Sequence, residues 1–231
     1  MRECVTHADL ANKDYCDWID FLRGSDGWSR GRIEQHQFDE LKRIIRHAYD
    51  NTRAYRAMYD GLGITPDNIR TIDHVRMLPF VEKEAIRDDL DGFSASIEGR
   101  SYITTGGSTG IPMGMYRDKS CFAKELASKA HQYYRIGWRE GDRQLVLRGL
   151  PIETDDHMQF VPEFNELRCS SYHLTPERME VFCDRAEEYR PEWLRCYPSA
   201  GYIFARYLKE TGRDFPQLKG ILCASENLYD Y

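Results

Sequence analysis

The chain has 231 residues, enough for one large domain or two small ones. Its composition, 41% hydrophobic and 30% charged, is typical of a folded globular protein. Acidic residues outnumber basic ones by 38 to 32 and the net charge is −6, so we do not expect a protein that binds nucleic acid through its phosphates. No apolar run reaches the roughly 18 residues of a membrane span, and we expect no secretory signal at the first residues.

Residues 1–95 are predicted to form a helical lead-in. Within residues 34–60, apolar and aromatic side chains recur every three or four positions, which predicts one amphipathic helix. The residues on that face are Phe38, Leu41, Ile45, Ala48, Thr52, Tyr55 and Tyr59. Gly61 is expected to end the helix, and the hydroxyls of Thr65 and Thr71 are expected to cap short helices after it.

Residues 96–231 are predicted to form an α/β nucleotide-binding subdomain. Strand-like runs alternate there with helical patterns: Gln144–Leu147, a helix from Pro176, Trp193–Cys196, a helix over 199–210, and Gly220–Ala224. Consecutive strands joined by helices pair in parallel. The predicted fold class is therefore α/β, with a helical N-terminal lead-in followed by parallel βαβ units.

The seven cysteines are scattered at positions 4, 16, 121, 169, 183, 196 and 223, and no two form a Cys-x-x-Cys pair. This spacing fits neither a disulfide framework nor a zinc site. A reducing cytoplasm is the simplest location for such a chain. The strand context of Cys196 favours a buried thiol over a nucleophile.

One loop concentrates the residues most useful for ligand binding. In Tyr-Ile-Thr-Thr-Gly-Gly-Ser-Thr-Gly-Ile-Pro, residues 102–112, seven of eleven are Gly, Ser or Thr. Glycines let backbone N–H groups converge on one point, and hydroxyls add donors without bulk. Such a loop can wrap a polyphosphate, although it is neither a Walker A loop nor a Gly-x-Gly-x-x-Gly fingerprint. The alternative is a surface turn of small polar residues.

Residues 105–112 resemble the phosphate-binding signature of adenylate-forming enzymes, in which a Ser/Thr-rich loop containing Gly-Ser/Thr-Thr-Gly-x-Pro follows a strand. Ile111 stands where that superfamily often has lysine. Four further stretches resemble its branch of phenylacetate–coenzyme A ligases and capsule-polysaccharide adenylation proteins: 46–56, 78–83, 197–200 and 224–228. The resemblance extends over about residues 35–231, and several motifs in the right order are more specific than one loop.

The resemblance implies a reaction in which ATP activates a small carboxylic acid as an acyl-adenylate, with Mg²⁺ and with coenzyme A or another nucleophile as acceptor. It implies that the phosphates are bound by Thr104, Thr105, Gly106, Gly107, Ser108, Thr109 and Gly110. It places Tyr197, Pro198 and Ser199 at the wall of the acyl pocket. It places Ala224, Ser225 and Glu226 beside the nucleotide. No catalytic residue is identified, and a homodimer is one expectation because the branch often dimerises.

The superfamily carries further elements after these: a Tyr-Gly-x-x-Glu stretch, an aspartate on the ribose and a late catalytic lysine. Their absence here leads us to expect the N-terminal part of a longer enzyme, the incomplete N-terminal domain of an adenylate-forming protein, inactive by itself. The alternative is a non-catalytic module of the same fold that binds nucleotide or a partner. A third hypothesis is a chain with an incidental Gly/Ser turn and no nucleotide site. The sequence does not identify which carboxylic acid would be activated.

Glu153–His157, together with His173, is a second cluster of polar residues. Side chains that follow one another in a loop or strand rarely point at one centre, so we expect no metal site there. An exposed loop, or a lid over the substrate, is the alternative.

Overall fold

The computed structural model describes residues 12–105 and 112–229. Its contacts divide the chain into two compact units, one formed by residues 13–126 and the other by the described residues from 127 to 229. The boundary predicted between residues 95 and 96 stays a prediction. Within the described ranges, no helix is both long and apolar enough to cross a membrane.

The unit of residues 13–126 is mainly helical. Its helices are α1 (Lys13–Ser25), α2 (Arg30–Asn51), α3 (Arg53–Gly61) and α4 (Lys83–Asp88), with short 3-10 helices at Pro66–Asn68 and Ile72–Met77. Two strands, β1 (Ser101–Thr104) and β2 (Gly114–Arg117), pair antiparallel. Helix α5 (Cys121–Tyr134) begins in this unit and continues past its last residue, 126. A small core of Ile45, Tyr59, Ile64 and Ile69 holds α2, α3 and the first 3-10 helix together.

The single helix predicted over residues 34–60 is wrong, because the structure breaks it at Thr52. That residue has extended backbone angles, φ −131° and ψ 139°. Its N–H and its hydroxyl both donate to the carbonyl of Ala48, at 3.1 and 2.8 Å, and the N–H of Ala54 donates to Gly92 instead of a helix carbonyl. A hydroxyl that competes for helix carbonyls favours such a break.

The second unit is built on a five-stranded sheet. Its strands are β3 (Gln144–Arg148), β4 (Met158–Val161), β5 (Glu166–Ser170), β6 (Trp193–Cys196) and β7 (Gly220–Cys223), in the order β4-β5-β3-β6-β7. All neighbours pair in parallel except β4 with β5. The predicted α/β class is confirmed, whereas β4 and β5 were not foreseen.

Helices α6 (Pro176–Tyr189) and α7 (Pro198–Thr211) form the core with one face of this sheet. Leucines on the three central strands and two helical phenylalanines lie in that core: Leu145, Leu147, Leu167, Leu194, Phe182 and Phe204. Burying each such side chain stabilises the fold by about 1.5–3 kcal/mol. The helix ends follow the sequence signals. Thr175 caps α6 by accepting from Arg178 N, and Gly212, at φ 69°, ends α7.

Candidate functional site

The loop rich in Gly, Ser and Thr connects the two strands of the β1–β2 hairpin. Thr104 pairs with Gly114 at the end of the ladder. Beyond it, Thr105 N donates to Met113 O at 2.9 Å, and Met113 N donates to Thr105 Oγ1 at 3.0 Å. The prediction that the loop follows a strand is confirmed. Thr105 therefore fixes the base of the loop, and its hydroxyl keeps a proton that it can donate to a ligand.

Five of the predicted phosphate-binding residues lie outside the described residues. These are Gly106, Gly107, Ser108, Thr109 and Gly110. Thr104, which is exposed, and Thr105, which is half-buried, are the two members of the set that the structure places. Their role in binding phosphate stays a prediction.

Aromatic packing stiffens the hairpin that carries this loop. Tyr102 and Tyr116 face each other across the strands with ring centroids 5.7 Å apart, and the Arg100 guanidinium carbon lies 3.9 Å from the Tyr116 ring centroid. Gly114 lies beneath the Tyr102 ring so closely that a Cβ there would overlap it. A side chain at this position would push the Tyr102 ring aside.

The other two predicted segments meet at the carboxyl ends of β6 and β7. Ser199 N donates to Glu226 Oε2 at 2.9 Å, and Ser199 Oγ donates to Glu226 Oε1, also at 2.9 Å. Tyr197 is the N-cap residue of α7 and Pro198 is its first residue. The carboxylate of Glu226 thus caps the helix, where a negative charge interacts favourably with the helix dipole. Segments 27 positions apart in sequence form one polar surface.

Ser225, between Ala224 and Glu226, has a positive φ of 71°. Non-glycine residues rarely adopt this left-handed conformation, and it costs about 1–2 kcal/mol. Strained backbone of this kind often occurs at ligand sites. The strain turns the chain sharply after β7, so that Glu226 reaches back to Ser199.

Arg148 belongs to the same edge and was missed by the sequence reasoning. It is the last residue of β3, and its guanidinium carbon lies 5.2 Å from the Tyr197 ring centroid. The sequence feature that could have identified Arg148 is its position directly after the strand-like run 144–147. It is a cation near the predicted nucleotide segments, which is the charge that a phosphate requires.

The topology supports a ligand site at this edge. After β3, the chain first forms β4 and β5 on one side of that strand. It then crosses to the other side, where it forms β6 and β7. Ligands of open parallel sheets bind where the strand order reverses, outside the carboxyl ends of the strands. The reversal here lies between β3 and β6, where Arg148 and Tyr197 are in contact.

A buried ion cluster lies on the sheet face opposite the leucine core. Glu166, 1% exposed, is 2.8 Å from Arg195 Nη1 and accepts from Arg168 Nε at 2.8 Å. Burial by itself would raise the pKa of Glu166, but Arg195 and then Arg168 outweigh it and hold the pKa below its usual value. None of the predicted site residues belongs to this cluster.

In the polar cluster of residues 153–157 with His173, the two histidines contact each other. His157 and His173 stack with their ring centroids 3.8 Å apart, and His157 Nδ1 is 3.3 Å from Ile152 O. In the ranges 12–105 and 112–229, no group of three or more His, Cys, Asp or Glu side chains is arranged to hold a metal ion.

A cavity of about 560 Å³ lies within the unit of residues 13–126. Its lining is largely apolar and includes Leu41, Ile45, Tyr55, Leu78, Phe93 and Met115, with Arg100 and Arg117 as charged members. None of the residues predicted for the acyl pocket lines it. Its volume is typical of small-molecule sites, but no predicted ligand is assigned to it.

No family model matches the chain. The chain is similar to a phenylacetate-coenzyme A ligase of Pseudomonas putida, with 22% identity over 191 residues, which are 81% of this chain and 43% of that protein. A phenylacetate-coenzyme A ligase of Escherichia coli K12 is 34% identical over 83 residues, 35% of this chain and 19% of that protein. These similarities support the adenylate-forming superfamily inferred from the motifs.

Solved structures of 2-hydroxyisobutyryl-CoA ligase share the fold. One, in complex with 2-HIB-AMP and CoA in the thioesterification state, has a TM-score of 0.65 and 13% identity over 85% of this chain and 44% of its own. Another, in the postadenylation state with 2-HIB-AMP, has a TM-score of 0.62 at 12% identity over 84% of this chain and 43% of its own. This chain therefore spans less than half the length of these ligases.

Proposed function

We propose that the chain carries the ATP-binding part of an AMP-forming ligase that activates a small carboxylic acid and transfers it to coenzyme A or another acceptor. The observation that carries the proposal is the pair of hydrogen bonds between Ser199 and Glu226. They join the two segments that the motifs assign to the acyl group and the nucleotide. The joined segments lie at the sheet edge where a ligand is expected.

In this proposal, the acid's carboxylate attacks the α-phosphate of ATP, pyrophosphate leaves, and the acyl-adenylate then passes its acyl group to the acceptor. The chain's own contribution is binding and alignment. Thr104, Thr105 and the loop after them donate hydrogen bonds to the phosphates. Arg148 supplies a positive charge at the edge where Tyr197 lies.

Glu226 acts as a positioning residue rather than an acid or base. Both of its carboxylate oxygens accept hydrogen bonds from Ser199, so the carboxylate is held in one orientation. This contact holds the 224–226 segment beside the start of α7. A nucleotide bound there would meet a preformed surface, which lowers the ordering cost of binding.

Mg²⁺ stays a prediction. Magnesium in nucleotide sites is usually held by one or two carboxylates together with substrate phosphates. No cluster of candidate ligands lies among the residues that the structure describes. No step is therefore assigned to the metal.

Nucleotide binding by this chain tests the proposal directly. Calorimetric titration with ATP and with AMP should show binding to the unmodified chain. Gly107→Val, which fills the loop, should lower the affinity for ATP more than tenfold. Ser108→Ala, which removes one donor to a charged group, should lower it about tenfold, equivalent to about 1.4 kcal/mol.

Glu163→Gln is the matched control, since Glu163 is exposed in a 3-10 helix away from both predicted segments. Its affinity should equal that of the unmodified chain. If the unmodified chain binds neither nucleotide, the proposal is rejected. Equal affinities for Gly107→Val and the control would also contradict the role assigned to the loop.

A second function, nucleotide or partner binding without turnover, is supported by Ile111, which replaces a lysine common in the superfamily. Loss of this cation removes a charge that would face the phosphates. Exchange of labelled pyrophosphate into ATP, measured with a panel of carboxylic acids, separates the two functions. Exchange requires adenylate formation, whereas binding alone gives none.

A further inference from the structure

Two cysteine thiols lie side by side at the carboxyl ends of β6 and β7. Cys196 and Cys223 are register partners in the parallel ladder, and their sulfurs are 3.8 Å apart. Neighbouring strands are about 4.8 Å apart, which falls within the Cα separations of about 4.4–6.8 Å that disulfides span. Side-chain rotation can therefore bring the sulfurs to bonding distance without moving the strands apart.

The two thiols differ in their access to solvent. Cys196 is 2% exposed, whereas Cys223, on the last strand of the sheet, is exposed. Burial, and then the neighbouring Cys223, raise the pKa of the Cys196 thiol to about 12, so it stays protonated near neutral pH. A dissolved oxidant therefore meets Cys223 first.

We propose that Cys223 and Cys196 form a disulfide when the chain meets a peroxide. Cys223 sulfur attacks a peroxide oxygen, which breaks the O–O bond and gives a sulfenic acid and water. The Cys196 sulfur then attacks the Cys223 sulfur, forming the S–S bond and breaking the S–O bond. The Cys196 proton leaves with the hydroxide as a second water. Both sulfurs are oxidised by one electron each and the peroxide is reduced to water.

The bond would form at the predicted nucleotide segments. Cys196 directly precedes Tyr197, and Cys223 directly precedes Ala224. A disulfide would therefore covalently join two segments that are otherwise linked by Ser199 and Glu226. Formation of the bond is measured without nucleotide, so this inference stands or falls separately from the proposed function.

Peptide mapping after treatment with hydrogen peroxide tests the proposal. Trypsin cleaves after Arg195, Arg206 and Lys219, so each of the two cysteines lies in its own peptide. The treated chain should contain these two peptides joined, lighter than their sum by two hydrogen atoms. Thiols titrated in denaturant should fall from the seven of the reduced chain to about five, and dithiothreitol should restore them.

Two variants assign the order of the steps. In Cys196→Ser, the sulfenic acid at Cys223 has no partner and should be trapped by dimedone. In Cys223→Ser, Cys196 should stay reduced. Cys121→Ser is the control, since Cys121 is exposed at the start of α5 and its loss should leave the cross-link intact.

The proposal is overturned if peroxide joins other cysteines instead, or if Cys196 and Cys223 are each oxidised without being joined. It is also overturned if the joined peptides appear only after the chain is denatured, because the pairing would then not depend on the folded sheet. A joined peptide in the folded chain, at equal yield in Cys121→Ser, supports it.

Discussion

The two edges of the five-stranded sheet differ in what their polar groups do. The amino edge, where β3, β5, β6 and β7 begin, is tied together by buried hydrogen bonds and ion pairs. The carboxyl edge, where the same strands end, presents the half-buried Arg148 and Tyr197 and the exposed Glu226. The amino edge therefore has residues that stabilise the fold, whereas the carboxyl edge has residues available to a ligand.

At the amino edge the polar groups bind one another. Trp193 Nε1 donates to Asp142 Oδ2 at 3.0 Å, and the same oxygen accepts from Arg139 N at 2.9 Å. Glu192 accepts from Lys219 Nζ at 2.6 Å and from Arg143 N at 3.4 Å. Polar groups that bind one another in this way stabilise one arrangement of the strands.

At the carboxyl edge the polar contacts lie near solvent. Ser199 and Glu226 bind each other, and Ser225 keeps a strained backbone. Substitutions at the amino edge should therefore change the free energy of unfolding. Those at the carboxyl edge should change stability less, and under the proposed function they should also change nucleotide binding.

Trp193→Ala should destabilise the chain most. Trp193 is 2% exposed, and its removal leaves a large cavity and takes one hydrogen-bond donor from Asp142, so we expect a loss of about 3–5 kcal/mol. Urea unfolding at pH 7 measures it. Phe80→Ala is the matched aromatic control, because Phe80 is 96% exposed and its loss should change stability by less than about 0.5 kcal/mol.

Glu166→Gln should destabilise the chain by about 3 kcal/mol at pH 7, because it leaves the buried Arg195 and the half-buried Arg168 without their counter-charge. The pKa of Glu166 is lowered in the fold. Its ionised form therefore stabilises the chain above the unfolded pKa of about 4.3, and this contribution is lost as the pH falls through the folded value.

The difference in stability between Glu166→Gln and the unmodified chain should accordingly shrink as the pH is lowered from 7 to 3. Urea unfolding at several pH values measures it. A difference that stays constant with pH would show that the pKa of Glu166 is the same in the folded and unfolded chain, and so is not lowered by the fold. Glu163→Gln again serves as control, since that exposed carboxylate should give little difference at any pH.

Glu226→Gln should destabilise the chain by about 1 kcal/mol, the usual effect of losing a helix cap. Under the proposed function, its affinity for ATP should fall several-fold, because the 224–226 segment is no longer held. A double-mutant cycle with Ser199→Ala should show coupling in both quantities. Additive effects would contradict the contact between these side chains.

Ser225→Gly should stabilise the chain slightly, by about 0.5 kcal/mol. The strain of a positive φ is relieved, and the greater flexibility of unfolded glycine offsets part of the gain. Ser101→Gly, the same change in strand β1, should destabilise it by about 0.5–1 kcal/mol. Thermal unfolding measures whether each variant is more or less stable than the unmodified chain. If both substitutions changed stability in the same direction, the positive φ of Ser225 would not be a source of strain.

For the candidate site, the sequence motifs selected Tyr197–Ser199 and Ala224–Glu226 without showing that they touch. The contact depends on the parallel pairing of β6 with β7, which brings their carboxyl ends to one edge. Arg148 was missed because its role depends on β3 lying beside β6. The loop of residues 106–111 lies outside the described residues, so its assignment rests on the motif.

For the fold, the sequence by itself determined the elements with strong local signals. The helices after Thr175 and Tyr197 and the strands at 144, 193 and 220 formed as predicted, because caps, prolines and apolar runs act within a few residues. Only the tertiary structure decided the break at Thr52 and the placement of Glu166 in β5. Ala54 N donates to the carbonyl of Gly92, which lies far along the chain. Strand pairing brings Arg168 and Arg195 to Glu166. No local sequence pattern encodes these contacts.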